Sequence, residues 1–541
     1  MKIRRFDQGL NNRRGMAKMV MDKSAKQRYG TVARSSLTVV LAAALAAGCS
    51  SDKGAEQGAE AGQDGKPVKV RVFKSHLGKG KIPEGSNEHI KYIADRTGVE
   101  YQLMTSAPGS DPAETLNVMI ASDDLPDILR PIGGVEQTLI QQGGALPLDD
   151  LLPKYAPNVW KLIPKEAWDI VRAASPDGKI YFVPKVYTIP ERVPMIRKDW
   201  LDKLGLPMPQ TKEQYFEMMR AMRDKDPNGN GKADELPTTG RELGKWMDHL
   251  FGMYGVAMWE GNPEWDVYDG QIQYAGITPN MKAAIAMIRD MYKEKLLDTE
   301  TFLNKGEVWQ AKINNNLVGH WYHLPASLKD KYAAMKKTAP DAYVAGMPLP
   351  KVEGFTGFVT QKSMGEVEWM IPTASEKNAP NALKLLDFYY NPENEDFVRF
   401  GVEGLQHEVV NGVKKLLPES EDRPIALGMQ NFSTKETMQK RIEQTYSADQ
   451  VKMVMDIFEV GISQARRIAG DGMSSSVYEG FPDIQSHKLF QQYVAKIIIG
   501  EWPLEKFDEF VEKWKSSGGD AVTKRVQEWY ARVEQYRKQQ P

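Results

Sequence analysis

Between Asp224 and Glu235 the sequence reads Asp-Lys-Asp-Pro-Asn-Gly-Asn-Gly-Lys-Ala-Asp-Glu, with oxygen-bearing side chains on alternate positions and glycine where the chain must turn sharply. That is the pattern of a loop that wraps a hard cation. Counting from Asp224 puts Asp226, Asn228, Gly229 and Glu235 in EF-hand positions. Counting from Asp226 uses Asn228, Asn230, Gly231, the Lys232 carbonyl, Asp234 and Glu235. The second register is preferred because it employs every oxygen residue after Asp226 and leaves Asp224 as an outer partner. Carboxylates and amides together suit calcium, which takes about six to eight oxygens. No second amphipathic helix follows Pro237 directly, so a structural calcium is expected rather than a sensing one. The alternative is a metal-free Asp/Asn/Gly turn.

A second group of residues could hold a flat, hydroxyl-rich ligand. Tryptophans in polar, loop-like contexts offer stacking platforms. The candidates are Trp246, Trp259, Trp265, Trp321 with Tyr322, and Trp369, although core packing is as common a fate for each. His320-Trp-Tyr-His323 pairs two histidines, but no third ligand has recognisable spacing, so hydrogen bonding in a cleft suits His323 better than metal.

The only cysteine, Cys49, ends the apolar run Leu37–Gly48, which follows a basic stretch. This is the layout of an export signal, and the run is too short for the roughly 20 residues that span a membrane. Leu45-Ala-Ala-Gly-Cys49 resembles the bacterial lipobox, in which the cysteine is acylated (palmitate among the expected chains) before the signal is removed. Ala46 stands where that pattern prefers leucine. Two acyl chains would anchor the protein stably to a membrane. Residues 50–66 are polar and Gly-rich, a flexible tether. Residues 1–48 carry a net charge of +8 and the remainder −9, which argues against a nucleic-acid partner.

Positioning such residues needs a scaffold, and 541 residues are too many for one core. Val68–Phe73 alternates as a strand, Asn87–Thr97 fits a helix, a second strand begins at Val99, and Ala113–Ala121 is helical. Asp177–Pro184 reads as a turn and strand, with Val193–Arg197 extended behind it. Thr211 caps a helix whose Tyr215, Met218, Met219 and Met222 form its inner face. Phe507, Phe510, Val511 and Trp514 mark another helix; Gly518-Gly519 interrupts it before Val522, Val526, Trp529, Val533 and Tyr536. Alternating strands and helices imply a mostly parallel sheet, with ligands at the carboxyl ends of its strands.

Several segments resemble the family 1 extracellular solute-binding proteins of ABC importers, in the long-chain branch that includes alginate-oligosaccharide-binding proteins. They are Asp124–Ile128, Leu146–Asp150, Lys154–Asn158, Ile196–Leu206, Asp224–Pro237, Asn378–Asp387 and Gly401–Gly404, in the family's order over nearly all of the mature chain. The resemblance implies an α/β, two-lobed periplasmic-binding-protein-like fold with hinge crossings and a C-terminal helical segment. It implies a signal peptide at 1–48, a lipidated tether at 49–66, one lobe from 67–187 and 365–430, and the other from 188–364 and 431–541. The register starting at Asp226 looks like the calcium loop of the alginate-binding relatives. An oligosaccharide ligand, ABC permease subunits as partners, an extracytoplasmic lipid-anchored location and a monomeric state are expected. His76, Arg130, Tyr187, Arg192 and Glu403 follow strand ends or these segments and join the candidate ligand contacts. Arg130 and Arg192 would matter most for an acidic sugar, whose carboxylate a guanidinium grips with two bonds.

Competing readings are a surface lipoprotein glycosidase or polysaccharide lyase, and a non-transporting adhesion or sensor module. The chain has no HExxH, GxSxG or P-loop, and its one thiol is assigned to lipid, so a non-enzyme is expected.

Overall fold

Alternation of β-branched and polar residues makes Val68–Phe73 the strand it promises to be, and in the computed structural model it lies one place in from the edge of the first of two principal sheets. The structure describes residues 66–75, 87–107, 110–362, 364–410, 413–418 and 427–539. The first sheet has six strands in the order Phe432–Ser433, Phe182–Tyr187, Met364–Met370, Ile128–Leu129, Val68–Phe73, Val99–Met104. All run parallel except Met364–Met370, which is antiparallel to both neighbours. The second sheet has four strands, in the order Val344–Gly346, Val193–Arg197, Val318–His323, Leu236–Thr238.

The chain passes from the first sheet to the second between Tyr187 and Val193. It returns between Gln361 and Met364, where Val359–Gln361 pairs in parallel with Ala465–Arg467. A further passage follows Ser433, because the helix Ala448–Gln464 packs on Val193–Arg197 and Val344–Gly346.

Helix ends follow local chemistry. Asn87 accepts from the His89 amide at the start of Glu88–Thr97, and Gly98 closes that helix with φ +70°. Thr211 caps Lys212–Asp224 by accepting from the Gln214 amide, while the Gln214 side chain turns to the Gln210 amide instead of completing a capping box. Tyr215, Met218, Met219 and Met222 are buried, as their spacing predicts.

Just past the division expected at residue 430 the chain still belongs to the first sheet, and the C-terminal helix touches both Lys165–Ala174 and the strand Gln271–Tyr274. Phe432–Ser433 joins the first sheet beside Phe182–Tyr187. The terminal helix Asp520–Lys538 lies on the first-lobe helix Lys165–Ala174, with Arg532 Nε donating to the Ala173 carbonyl at 3.3 Å. Its apolar face meets two elements far apart in sequence, and periodicity identifies such a face without naming its partner. Between the last two helices, Lys515–Gly519 widens into a π turn with Gly518 at φ +113°.

Candidate functional site

The parallel strands of the first sheet end on one edge, where Val68–Phe73 gives way to Lys74, Ile128–Leu129 to Arg130, and Phe182–Tyr187 to the crossing. The antiparallel Met364–Met370 carries Glu366 and Glu368 between them. Arg130 Nη2 lies 3.0 Å from Glu368 Oε2, and the Asn431 amide donates to the same oxygen at 3.0 Å. Lys74 Nζ donates to the Gly428 carbonyl at 2.7 Å. Burial holds Lys74 below the usual lysine range, and the neighbouring Arg130 adds to the effect.

The crossing carries a second set of charges. Lys185 Nζ stands 3.1 Å from Glu191 and 3.5 Å from Glu366. Arg192 pairs with Glu260 and places its guanidinium 4.7 Å from the centre of the Trp259 ring. Arg241 lies 4.4 Å over Trp246, whose other neighbours are Trp309 and His323. Asp248 is buried beneath this set; its Oδ1 accepts from the Gly261 amide at 2.9 Å, and its Oδ2 has no partner. Burial pushes Asp248 up to about 6.

Two cavities flank the crossing. The larger, of about 1030 Å³, is walled by the Pro131–Gly134 turn, Glu366, the Lys362–Glu264 pair, Ser474–Ser475, Tyr478 and His487. The smaller, of about 500 Å³, is lined by Tyr187, Glu191, Asn431, Phe432, Phe400 and Arg441. Glu366 faces the first and Glu191 the second, and Lys185 ties both carboxylates, so the charged cluster is the partition between them. Trp265 Nε1 donates to Tyr478 Oη at 2.7 Å and Tyr274 Oη lies 2.9 Å from His487 Nδ1, which fixes both rings in the wall. Gly365 and Gly472 meet back to back at positive φ, and a Cβ on either would fall 2.5 Å from Ile170 Cγ2. Only glycine lets these two segments approach.

The acidic loop is folded on itself. Asp226 Oδ1 accepts from the Gly229 and Asn230 amides, and its Oδ2 accepts from Gly231. The Asn228 and Asn230 side-chain amides both donate to Asp234. Glu235 is buried, and neither of its carboxylate oxygens has a hydrogen-bond partner. Burial and the neighbouring Asp226 raise its pKa. Among the described residues no three His, Cys, Asp or Glu side chains gather as a metal-holding group. Asp226, Asp234 and Glu235 are thus not drawn together as such a group, the first two being taken up by amides of the loop; Glu235 is buried beside like charges, a setting that a bound cation would relieve.

A family model described as "Bacterial extracellular solute-binding protein" matches residues 85–396. The chain belongs to that family. Among curated relatives of this solute-binding protein, a fructooligosaccharide ABC transporter substrate-binding protein, FusA of Streptococcus pneumoniae, is 29% identical over 284 residues, 48% of this chain and 50% of the relative. Lipoprotein LipO of Bacillus subtilis is 25% identical over 473 residues, 83% and 89% of the two chains. Among solved structures, an HMO-binding solute-binding protein of Bifidobacterium longum infantis superposes with a TM-score of 0.67 at 17% identity, over 87% of this chain and 99% of the other. Alginate-binding protein AlgQ2 without calcium ion gives 0.63 at 21%, over 86% and 98%. The neighbours share the two-lobed periplasmic-binding-protein-like fold.

In this solute-binding protein the expected ligand residues divide. Tyr187 lines the smaller cavity, and Arg130 and Arg192 stand in the charged clusters. Trp246 and Trp259 are half-buried under arginines. Trp265, Trp321, Tyr322 and Trp369 are no more than 2% exposed and cannot meet a ligand. Trp265 packs on Tyr274 and Trp514, and Trp369 donates to the Met429 carbonyl at 2.8 Å. Trp321 and Tyr322 sit on a central strand buried on both faces, so every residue of Val318–His323 is core. His323, expected in the cleft, is buried against Trp246 and lies 2.8 Å from Ser327 Oγ; its partner His320 lies 2.6 Å from Tyr215 Oη. Glu403 is exposed and lines neither of these two cavities. His76 and Cys49 lie outside the described residues. The sequence reading missed Glu264, Lys362, Glu366, Tyr478 and His487. Its available signal was the Gly470–Ser476 run, whose glycines and serines belong beside a ligand rather than in a helix.

Proposed function

We propose that this solute-binding protein captures an oligosaccharide outside the cytoplasm and delivers it to the permease subunits of an ABC importer, without chemical change to the ligand. The observation that carries the reading is the cavity of about 1030 Å³ along the carboxyl edge of the first sheet, rich in hydroxyl, carboxylate and glycine surface. Its volume sits at the upper end of the roughly 300–1,000 Å³ of ligand pockets, more than one sugar ring needs. FusA, a fructooligosaccharide ABC transporter substrate-binding protein, supports the class by relationship, and LipO, a lipoprotein, supports the anchor. Cys49 is the proposed lipid attachment point, holding the protein as a monomer at the outer face of the membrane. No helix among the described residues is long and apolar enough to cross a membrane.

Calcium is the proposed structural ion of the 226–235 loop, with Asp226, Asn228, Asn230, the Lys232 carbonyl, Asp234 and Glu235 as its ligands. It would supply the positive charge that Glu235 lacks.

Calorimetric titration of the purified chain with a panel of oligosaccharides, with the recovered sugar examined afterwards, tests the main reading. Tight binding and unchanged sugar support it. Cleavage of the sugar replaces it with an enzyme, and no binding by any member removes it.

A further inference from the structure

The larger cavity has an uneven charge. Glu136, Glu264, Glu366 and Glu479 line it, against the single cation Lys362. Lys362 is not free: its Nζ lies 2.9 Å from Glu264. Burial opposes its charge, but Glu264, Glu366 and Asp471 outweigh that and hold it above the usual lysine range. His487 adds no positive charge at neutral pH, since burial lowers it to about 4. The wall thus presents a surplus of carboxylate to whatever enters.

Beside the crossing, three cations have carboxylate neighbours, although Arg192 keeps Nε and Nη1 without a hydrogen-bond partner. Arg130 is matched by Glu368, Lys185 by Glu191 and Glu366, and Arg192 by Glu260. A site for a uronate needs the reverse arrangement, with guanidinium or ammonium groups whose partner is the ligand's own carboxylate. Bringing such a ligand against Glu366 and Glu479 would set like charges together, and the one cation among the described residues of the wall, Lys362, is already held by Glu264. A neutral sugar meets no such penalty, and its hydroxyls donate to carboxylate oxygens.

We infer that the large cavity selects a neutral oligosaccharide and rejects uronates, its carboxylates serving both as acceptors for hydroxyls and as a barrier to anions. The inference rests on the carbohydrate reading above. It withdraws the role in acidic-sugar recognition that the sequence suggests for Arg130 and Arg192.

The test titrates the full-length chain, at low ionic strength, with neutral trimers (kestose, xylotriose, cellotriose, maltotriose, mannotriose) and with tri-galacturonate and tri-mannuronate. At least one neutral trimer should bind, with every uronate at least a hundredfold weaker. Uronate binding tighter than any neutral trimer overturns the inference and leaves the carbohydrate reading intact, whereas no binding by either set overturns both. Glu366→Gln with Glu479→Gln supplies a second measure. The ratio of uronate to neutral affinity should rise at least tenfold in the double variant and narrow with added salt. A ratio unmoved by both changes overturns the electrostatic argument even if neutral sugars bind.

Discussion

The crossing and the acidic loop both gather carboxylates, and they neutralise them differently. At the crossing, Glu191, Glu260 and Glu366 find Lys185 and Arg192 within the chain. In the loop, Asp226 takes backbone amides and Asp234 takes side-chain amides, but buried Glu235 has the like-charged Asp226 and Asp234 for neighbours. One region carries its counter-charge in the sequence; the other, on the calcium reading proposed above, would take it from an ion outside the chain. The folded state of the first should therefore ignore divalent ions, and that of the second should respond to them.

The largest effect expected is from Lys185→Met, which removes the cation shared by Glu191 and Glu366 and leaves Glu191 with Arg192 at 3.9 Å. Removing one side of a buried pair costs about 3–5 kcal/mol. With Lys185 and Glu191 each under one-fifth exposed, the lower end of that range should appear in urea denaturation, unchanged by calcium. A loss that calcium repairs would break the contrast.

Asp248 stands between the two cases, within the field of Arg192 yet with one oxygen unpaired. Its folded pKa of about 6 exceeds the unfolded value of 3.8, so its penalty is absent below pH 4 and fully present above pH 6. Asp248→Asn should raise stability at pH 7.5 by up to about 3 kcal/mol, from roughly two units at 1.4 kcal/mol each. At pH 4 it should change nothing. A gain of equal size at both pH values would show that titration is not the cause.

Chelation of divalent ions comes next. Saturating calcium at about a hundred times its Kd should stabilise the fold by about 2.7 kcal/mol and raise Tm by several degrees. Glu235→Gln should abolish that response while leaving the ion-free Tm unchanged or higher, since a buried unpaired carboxylate is removed. The smallest effect should come from Glu294→Gln, which halves an exposed pair with Arg220 at 2.7 and 2.9 Å. It should cost at most about 1 kcal/mol and vanish in high salt.

Local chemistry was readable and long-range placement was not. The strand Val68–Phe73, the buried stripe Tyr215–Met222 and the loop beginning at Asp226 each follow from residues a few positions apart. The tryptophans show the limit. Trp259 and Trp265 lie six positions apart in similarly polar company. One stays half-buried under Arg192, while the other is sealed by Trp514, nearly 250 residues away. Nothing within reach of either side chain announces that difference. The cavity wall had the same fault, since Glu264, Lys362 and His487 come together only through the fold.

The passages between the sheets have a mechanical meaning. Two are only a few residues long, and the strand leading into one of them is bonded side by side to Ala465–Arg467. Such a set of straps bends easily about one line and resists twisting. If the sheets move relative to one another, such straps would confine the motion to about one angle, and distance labels across the cavity should then change together on ligand addition, in fixed proportion.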